Sequence, residues 1–291
     1  MNRPMRSRLR GVVNTRLDPR LGSVLATAYV TVRDRSLCLV RHEGDHWVHR
    51  YRNGLVVNRT IGGPSAGAQD DAAEEIFLHG YRPRPGDTVV DIGAGIGGEA
   101  RVFSRLVGPE GRVVCVEAHP GTFACLRRMV ELNGLGNVTA VECAVVGTPG
   151  TVHLEDDTQL HLANSLTSAE AGGVAVPGRT LVDVLGSLGV DRVDLLKMNI
   201  EGAEAEVLTA FRPHLSMVDN LVVSCHDFLA TGAEQSWQRT FDTVTTLLRD
   251  AGYQLRTRPD DPRPWVRYYV YASRPGGSGA GTGSGLASAS A

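Results

Sequence analysis

The 291-residue sequence lacks the features that would place it in a membrane or on nucleic acid. No stretch approaches the roughly 18 apolar residues that a bilayer span requires. The net charge is only −2, so no global field draws the whole chain to nucleic acid or to an anionic membrane. With 42% hydrophobic and 21% charged residues, the composition is that of a soluble globular protein. We therefore expect selectivity to come from a local site, with no nucleic-acid partner and no membrane span.

Cysteine is sparse, and its spacing carries no known motif. The five cysteines lie in apolar contexts without a C-x-x-C pair, which disfavours a zinc site or a redox dithiol. This pattern favours a reducing, cytoplasmic setting. A secretory signal is the alternative, because MNRPMRSRLR precedes a mildly apolar run over 21–32. Asp18 and Pro19 before that run, and Thr27 and Thr31 within it, disfavour a signal peptide.

Lysine is nearly absent, because 29 of the 30 basic residues are arginine and the other is Lys197. Lys197 lies in the apolar run 193–198, where a buried ammonium must be paired or lose its charge. It could pair with Asp91 or Glu201, bind an acceptor oxygen, or tie its strand to the following helix. We favour a functional role, because this position has the compact ammonium of lysine although every other basic side chain is an arginine guanidinium.

The first part of the chain, residues 1–69, differs in pattern from the rest. Short alternating runs separated by turns, including Arg52-Asn53-Gly54, predict a small antiparallel β-meander. The six arginines before Leu21 could contact phosphate or a membrane, but a basic, unstructured terminus is the commoner explanation. Residues 62–67, Gly-Gly-Pro-Ser-Ala-Gly, predict an irregular hinge.

Residues 70–274 alternate apolar runs of strand length with amphipathic segments, which predicts β-α units around a largely parallel sheet. The predicted strands are 88–92, 112–117, 138–141, 193–198, 220–224 and 265–272. A helix is predicted over 70–79, and another from the spacing of Trp237, Phe241, Val244 and Leu248. Residues 275–291 form a Gly/Ser/Ala tail that we expect to be disordered.

The central motif is D-I-G-A-G-I-G-G, which begins at Asp91 and follows the first of these strands. Gly93, Gly95 and Gly98 match G-x-G-x-x-G, and Glu117 ends the next predicted strand about 20 residues later. NAD is one candidate ligand, but its pyrophosphate would lie near the Asp91 carboxylate. S-adenosylmethionine tolerates Asp91 near its methionine end and would place its ribose hydroxyls on Glu117. A tight turn without a ligand is the third interpretation.

Three motifs together resemble the FkbM family of methyltransferases over roughly 71–272. They are the glycine loop, V-E-A-H-P at 116–120, and V-D-L-L-K-M-N-I-E-G-A-E at 193–204. The last is the specific one, since most class I methyltransferases share the glycine loop. The resemblance implies an α/β, Rossmann-like, doubly wound and mostly parallel seven-stranded sheet, with the β-meander as an N-terminal extension.

The resemblance also implies S-adenosylmethionine as methyl donor and O-methylation of a hydroxyl on a sugar or other natural-product small molecule. The cofactor contacts expected from the glycine motif and from the resemblance are Asp91, Gly93, Ala94, Gly95, Glu117, Ala118, Glu142 and Ala144.

One position departs from the family pattern K-[IM]-D-[VI]-E-G, because this chain has Asn199 where the family usually has Asp. The amide keeps an oxygen but loses the charge. Asn199, Glu201 and His226 could hold a divalent ion such as Mg²⁺, but with one carboxylate and one amide we do not favour a metal. Besides an NAD-dependent oxidoreductase, a catalytically silent cofactor-binding module therefore stays open as an alternative.

The acceptor is expected outside the carboxyl ends of the later strands, where Lys197, Asn199, Glu201 and His226 fall. Methyl transfer to an alcohol needs an oriented hydroxyl and the removal of its proton. His226 is the predicted general base, because an unperturbed imidazole has a pKa of about 6.5. A structural histidine at a strand end is the alternative. Glu204 is predicted to cap the following helix.

Overall fold

The computed structural model describes residues 19–154, 166–167, 173–230 and 236–276. Its α-helices are α1 (Pro19–Asp34), α2 (Ala66–Ala72), α3 (Ala100–Val107), α4 (Pro120–Leu132), α5 (Leu181–Ser187), α6 (Glu204–Phe211) and α7 (Phe241–Asp250). The first seven strands are β1 (Leu39–Glu43), β2 (His46–Tyr51), β3 (Gly54–Asn58), β4 (Thr88–Ile92), β5 (Arg112–Glu117), β6 (Val138–Glu142) and β7 (Ala144–Val145). The others are β8 (Gly150–Leu154), β9 (Leu166–Thr167), β10 (Val174–Arg179), β11 (Val193–Met198), β12 (Val218–Ser224), β13 (Gln254–Arg256) and β14 (Tyr269–Ser273).

The main sheet has seven strands in the order β13-β14-β12-β11-β4-β5-β6. The strands from β12 to β6 run parallel, and β14 is antiparallel to both β12 and β13. This confirms the predicted Rossmann-like, mostly parallel sheet. The register places Lys197 of β11 beside Asp91 of β4.

Helices cover both faces of this sheet, which is why its strands are continuous apolar runs. Val90 and Leu196 belong to a core formed with α5, α6 and α7. Val89 and Leu195 belong to a second core that contains α3, α4, α1 and the β1–β3 sheet. The N-terminal elements thus share a hydrophobic core with the main sheet, and the division of the chain at residue 69 stays a prediction. All five cysteines are buried free thiols.

The predicted β-meander is confirmed, because β1, β2 and β3 form an antiparallel sheet in sequential order. The sequence did not predict α1, which includes the mildly apolar run 21–32. The Thr27 hydroxyl accepts a hydrogen bond from Val40 N at 2.9 Å, and Thr31 Oγ1 lies 3.2 Å from Cys38 N. Hydroxyl groups of α1 therefore satisfy part of the open edge of β1. None of the helices in the described ranges is long and apolar enough to cross a membrane.

The helix predicted over 70–79 was misplaced at its start. It begins at Ala66, because Ser65 caps it and accepts a hydrogen bond from Ala68 N at 3.2 Å. The last two residues of the predicted hinge are therefore helical. The helix then passes into a π-turn over Ala73–Phe77.

Two further boundaries near the C-terminus were wrong. Trp237 lies in a short 3₁₀ turn, and α7 begins at Phe241, because Asp227 Oδ2 accepts hydrogen bonds from Thr240 N and Phe241 N at 3.0 and 3.1 Å. This cap comes from a distant residue, which helical periodicity cannot detect. The strand predicted over 265–272 begins at Tyr269, after a 3₁₀ turn at 266–268.

A second, four-stranded sheet follows β6 in the order β7-β10-β8-β9. The sequence did not predict it, because two of its strands have only two residues each. It matters for function because β7 and β8 contribute Val145 and Leu154 to the cleft described below. The predicted tail covers residues 275–291. From residue 277 onward it lies outside the part of the chain that the structure describes.

Candidate active site

A cleft lies at the carboxyl ends of β4, β5 and β11. Its lining residues are Ile92, Gly93, Gly95, Val116, Glu117, Ala118, Cys143, Ala144, Val145, Leu154, Asn199, Ile200, Glu201 and Ala203. Doubly wound sheets usually bind their ligands at this edge. The cleft is therefore a candidate cofactor and substrate site.

Seven of the predicted site residues meet in this cleft. They are Gly93, Gly95, Glu117, Ala118, Ala144, Asn199 and Glu201. The other five, which lie outside its walls, are Asp91, Ala94, Glu142, Lys197 and His226. Sequence analysis missed the apolar part of the lining, including Leu154, because that residue lies on the unpredicted strand β8.

The glycine loop brings the ends of β4 and β11 into close contact. Gly93 has a φ of +73°, and a Cβ atom added there would lie 2.0 Å from the carbonyl oxygen of Asn199. Gly93 N and Ala94 N both donate to Val116 O at 3.0 Å. Only glycine fits this turn, since both its backbone conformation and its surroundings exclude a side chain.

Glu117 holds the same loop from the neighbouring strand. Its Oε2 accepts a hydrogen bond from Gly95 N at 2.9 Å, and its Oε1 accepts one from His119 N at 2.8 Å. Burial raises the pKa of Glu117, although these two N–H donors act in the opposite direction. Each carboxylate oxygen keeps a second lone pair for a ligand hydroxyl.

Lys197 forms a buried ion pair beneath the loop. Its Nζ lies 2.7 Å from Asp91 Oδ1 and donates to Gly93 O at 2.8 Å. Burial lowers the pKa of Lys197, but the charges of Asp91 and Glu99 outweigh it and raise the pKa above its ordinary value. The ammonium therefore stays charged. Of the partners considered from the sequence, the structure selects Asp91, so Lys197 ties β11 to β4 and to the glycine loop.

His226 lies between two carboxylates at the other end of the site. Its Nδ1 is 2.8 Å from Glu204 Oε1, and its Nε2 is 3.5 Å from Glu201 Oε1. Burial lowers the pKa of His226, but hydrogen bonds and charges from Glu201 and Glu204 dominate and raise the pKa to about 9. At neutral pH the ring is therefore an imidazolium that donates to Glu204 through Nδ1 and pairs electrostatically with Glu201 through Nε2. We call Glu201, His226 and Glu204 the acid–histidine triad.

Glu204 was predicted to cap the following helix, but its side chain binds the turn that precedes α6. It is fully buried, and its Oε1 accepts hydrogen bonds from Ile200 N at 3.1 Å and Gly202 N at 3.2 Å. The turn that it stabilises holds Glu201 at a φ of +55°, a region that is strained for a residue with a side chain. Glu204 thus fixes both members of the triad that approach the cleft.

We expect the pH dependence of stability to report the triad. The folded pKa of His226, about 9, lies above the ordinary imidazole pKa of about 6.5, so its stabilisation is fully present below pH 6.5 and is lost as the pH rises through 9. The difference corresponds to about 3 kcal/mol of unfolding free energy. The unfolding free energy of the wild type, measured in urea, should fall by that amount across this pH window. In His226→Gln the unfolding free energy should depend much less on pH. Replacing the exposed His214 by Gln is the control, and a wild-type profile unchanged across the window would contradict the triad geometry.

The cleft fits S-adenosylmethionine on two structural grounds. Its walls next to the loop are small residues, Gly93, Gly95, Ala118 and Ala144, which leave room for a flat nucleoside. The Glu117 carboxylate lies among them with free lone pairs, as ribose hydroxyls require. Within the described ranges no group of three or more His, Cys, Asp or Glu side chains is arranged to hold a metal ion, and whether a metal takes part stays a prediction. Fold and site together define a class I, Rossmann-like methyltransferase.

A family model described as the methyltransferase FkbM domain matches residues 91–255. The chain belongs to this family, and its methyl donor is S-adenosylmethionine. It is 29% identical over 229 residues to Methyltransferase 1 of Beauveria bassiana, covering 69% of this chain and 88% of that protein. It is 27% identical to methyltransferase sdnD of Sordaria araneosa, with 57% and 73% covered, and 24% identical to the 2-O-methyltransferase NoeI of Sinorhizobium fredii, with 46% and 60% covered.

Among solved structures, the chain resembles the FkbM methyltransferase of Methylobacillus flagellatus. The sequences are 17% identical, and the TM-score is 0.49. The similarity covers 72% of this chain and 50% of the other. Family membership resolves the choice left open by the glycine loop in favour of S-adenosylmethionine over NAD.

Proposed function

We propose that the protein is an O-methyltransferase that transfers the methyl group of S-adenosylmethionine to a hydroxyl of a small sugar-like or other natural-product acceptor. The observation that carries this proposal is the acid–histidine triad beside the cleft, because an alcohol must lose a proton when it is methylated. The relative NoeI is a 2-O-methyltransferase, which supports the same kind of acceptor atom.

The triad has the charge that proton removal requires. With His226 protonated between Glu201 and Glu204, the three side chains carry a net charge of −1, so they can take up one proton as a unit. Glu201 lines the cleft, and its side chain is 17% exposed, whereas His226 is 3% exposed. Glu201 is therefore the group that meets the acceptor proton, and His226 and Glu204 position it. This assigns direct contact to Glu201 rather than to His226, which the sequence alone favoured as the base.

The other residues near the acceptor orient the reactants and do not take up the proton. The amide of Asn199 lines the cleft and offers both a donor and an acceptor to the incoming hydroxyl. Lys197 acts on the glycine loop through Gly93 O, so its role is to hold the cofactor site in shape. S-adenosylmethionine, when bound, supplies the electrophilic methyl group.

Glu201→Gln should lower kcat by about 10² to 10⁴ while leaving the affinity for S-adenosylhomocysteine unchanged, because the amide cannot accept the proton. The assay uses radiolabelled S-adenosylmethionine with a panel of sugars, polyols and phenols, and NMR of the product identifies the methylated atom. Glu206→Gln, at an exposed acid on the helix that follows Glu201, is the matched control. A loss of less than tenfold in Glu201→Gln would remove the proton-accepting role. A product methylated on nitrogen or carbon would overturn O-methylation.

Calorimetric titration tests the cofactor site independently of any acceptor. We expect S-adenosylhomocysteine to bind and NADH not to bind, and Glu117→Ala to weaken the first by about 1.5–3 kcal/mol through the loss of charge-assisted hydrogen bonds. Glu110→Ala is the control, because Glu110 is exposed and lies outside the cleft walls. If both variants bound S-adenosylhomocysteine with equal affinity, Glu117 would not be the residue that binds the ribose. Binding without methyl transfer to any acceptor would favour the catalytically silent module.

A further inference from the structure

Helix α1 is oriented with its hydroxyl groups toward the protein. Ser23 Oγ accepts from His42 N at 3.2 Å, and Thr27 and Thr31 bond the β1 backbone as described above. Ala26 and Val30, on the buried side of the same helix, are at most 1% exposed. The internal contacts of α1 therefore use its polar side chains, which surface helices usually present to water.

The opposite side of α1 is apolar and faces solvent. Val24 is 65% exposed, Leu25 is 45% and Val32 is 79%, and Leu37, just after the helix, is 72% exposed. Val24, Leu25 and Val32 lie on one helix face, because their spacing is i, i+1 and i+8. A contiguous exposed apolar surface of this kind marks a binding surface on a soluble protein. We call these four side chains the α1 apolar surface.

The charge of the chain is divided unevenly along the sequence. Residues 1–69 contain twelve arginines and four acidic residues, a net charge of +8, whereas the remaining 222 residues carry −10. The overall charge of −2 conceals this division. Arg35, Arg41 and Arg50 are exposed on the same N-terminal elements as the α1 apolar surface. Such asymmetry is typical of a surface that meets an anionic partner.

We propose that the α1 apolar surface docks on a bilayer that contains anionic phospholipids. The valines and leucines enter the interface between headgroups and acyl chains, and the exposed Arg35, Arg41 and Arg50 contact the headgroup phosphates. Residues 19–69 contain seven arginines and three acidic residues, so charge repulsion disfavours a dimer through this face. Nucleic acid would satisfy the arginines but would leave the exposed leucines and valines in water.

The test is flotation of the full chain with vesicles of phosphatidylcholine alone and of equal parts phosphatidylcholine and phosphatidylglycerol. We expect binding only to the anionic vesicles, weakened by added salt. Replacing Val24 and Val32 together by Ser should weaken binding by at least about tenfold, because both side chains lose their buried area in the lipid. Both residues contact solvent in the free protein, so the variant should fold. Trp265→Ser, another exposed apolar residue, is the matched control.

Charge-reversal variants test whether the arginines contribute to vesicle binding. Arg41→Glu with Arg50→Glu should weaken vesicle binding, whereas Arg249→Glu on α7 should not. Equal binding to both vesicle types, or full binding by the Val24 and Val32 double variant, would overturn the proposal. A concentration-dependent dimer in light scattering, abolished by this double variant, would also overturn the proposal. The α1 apolar surface would then bind a second copy of the chain. The readout does not involve methyl transfer, so its failure would leave the proposed function intact.

Discussion

Replacing Gly93 by alanine is expected to remove cofactor binding and to destabilise the domain. The new Cβ would lie 2.0 Å from Asn199 O, so the ends of β4 and β11 would have to separate. A positive φ alone costs about 1–3 kcal/mol for a residue with a side chain, and the collision adds to it. In urea unfolding, we expect Gly93→Ala to lose more unfolding free energy than the backbone conformation alone would cost. We also expect its affinity for S-adenosylhomocysteine to be at least about 100-fold weaker.

Gly134→Ala separates the two causes. Gly134 has a φ of +62°, close to that of Gly93, but nothing lies within 4 Å of an added Cβ. That variant should show only the cost of the backbone conformation, about 1–2 kcal/mol, with cofactor affinity unchanged. If the two variants behaved alike, the contact between the loop and Asn199 would not be what requires glycine.

Lys197→Met is expected to cost about 3–5 kcal/mol of unfolding free energy, because it leaves the fully buried Asp91 carboxylate without its ion-pair partner. The methionine fills similar volume, so the loss reports charge rather than packing. The glycine loop also loses the hydrogen bond to Gly93 O, so affinity for S-adenosylhomocysteine should fall in the same variant. Urea unfolding and calorimetry measure the two effects separately.

Two further variants control this experiment. Arg192→Met removes an ion pair to Asp219, also at 2.7 Å, but the arginine side chain is 60% exposed, so the cost should be below about 1 kcal/mol. Adding Asp91→Asn to Lys197→Met should restore much of the lost stability, since the uncompensated charge is gone. A cost below about 1 kcal/mol for Lys197→Met alone would show that the buried pair is not a structural tie.

Much of the site was predictable because its signals are local. The strand before Asp91, the glycine turn and the acid at Glu117 are read from neighbouring residues, and the cleft contains seven of the twelve predicted residues. The roles of Lys197 and His226 were not predictable. Lys197 had several possible carboxylate partners, and the sheet register alone selects Asp91. The pKa of His226 depends on Glu204, a residue expected from the sequence only to cap a helix.

The sequence alone was sufficient for six of the seven strands of the main sheet, the glycine loop and the family, because apolar runs and glycine conformations depend on adjacent residues. Tertiary structure decided which charged groups meet, since contacts such as His226 with Glu204 form only when distant strands pair in one register. It also decided that α1 turns its hydroxyls toward β1, and Val24 and Val32 toward solvent. The open edge of β1 causes that orientation, because unpaired backbone groups of a strand need hydrogen-bond partners that a helical pattern does not reveal.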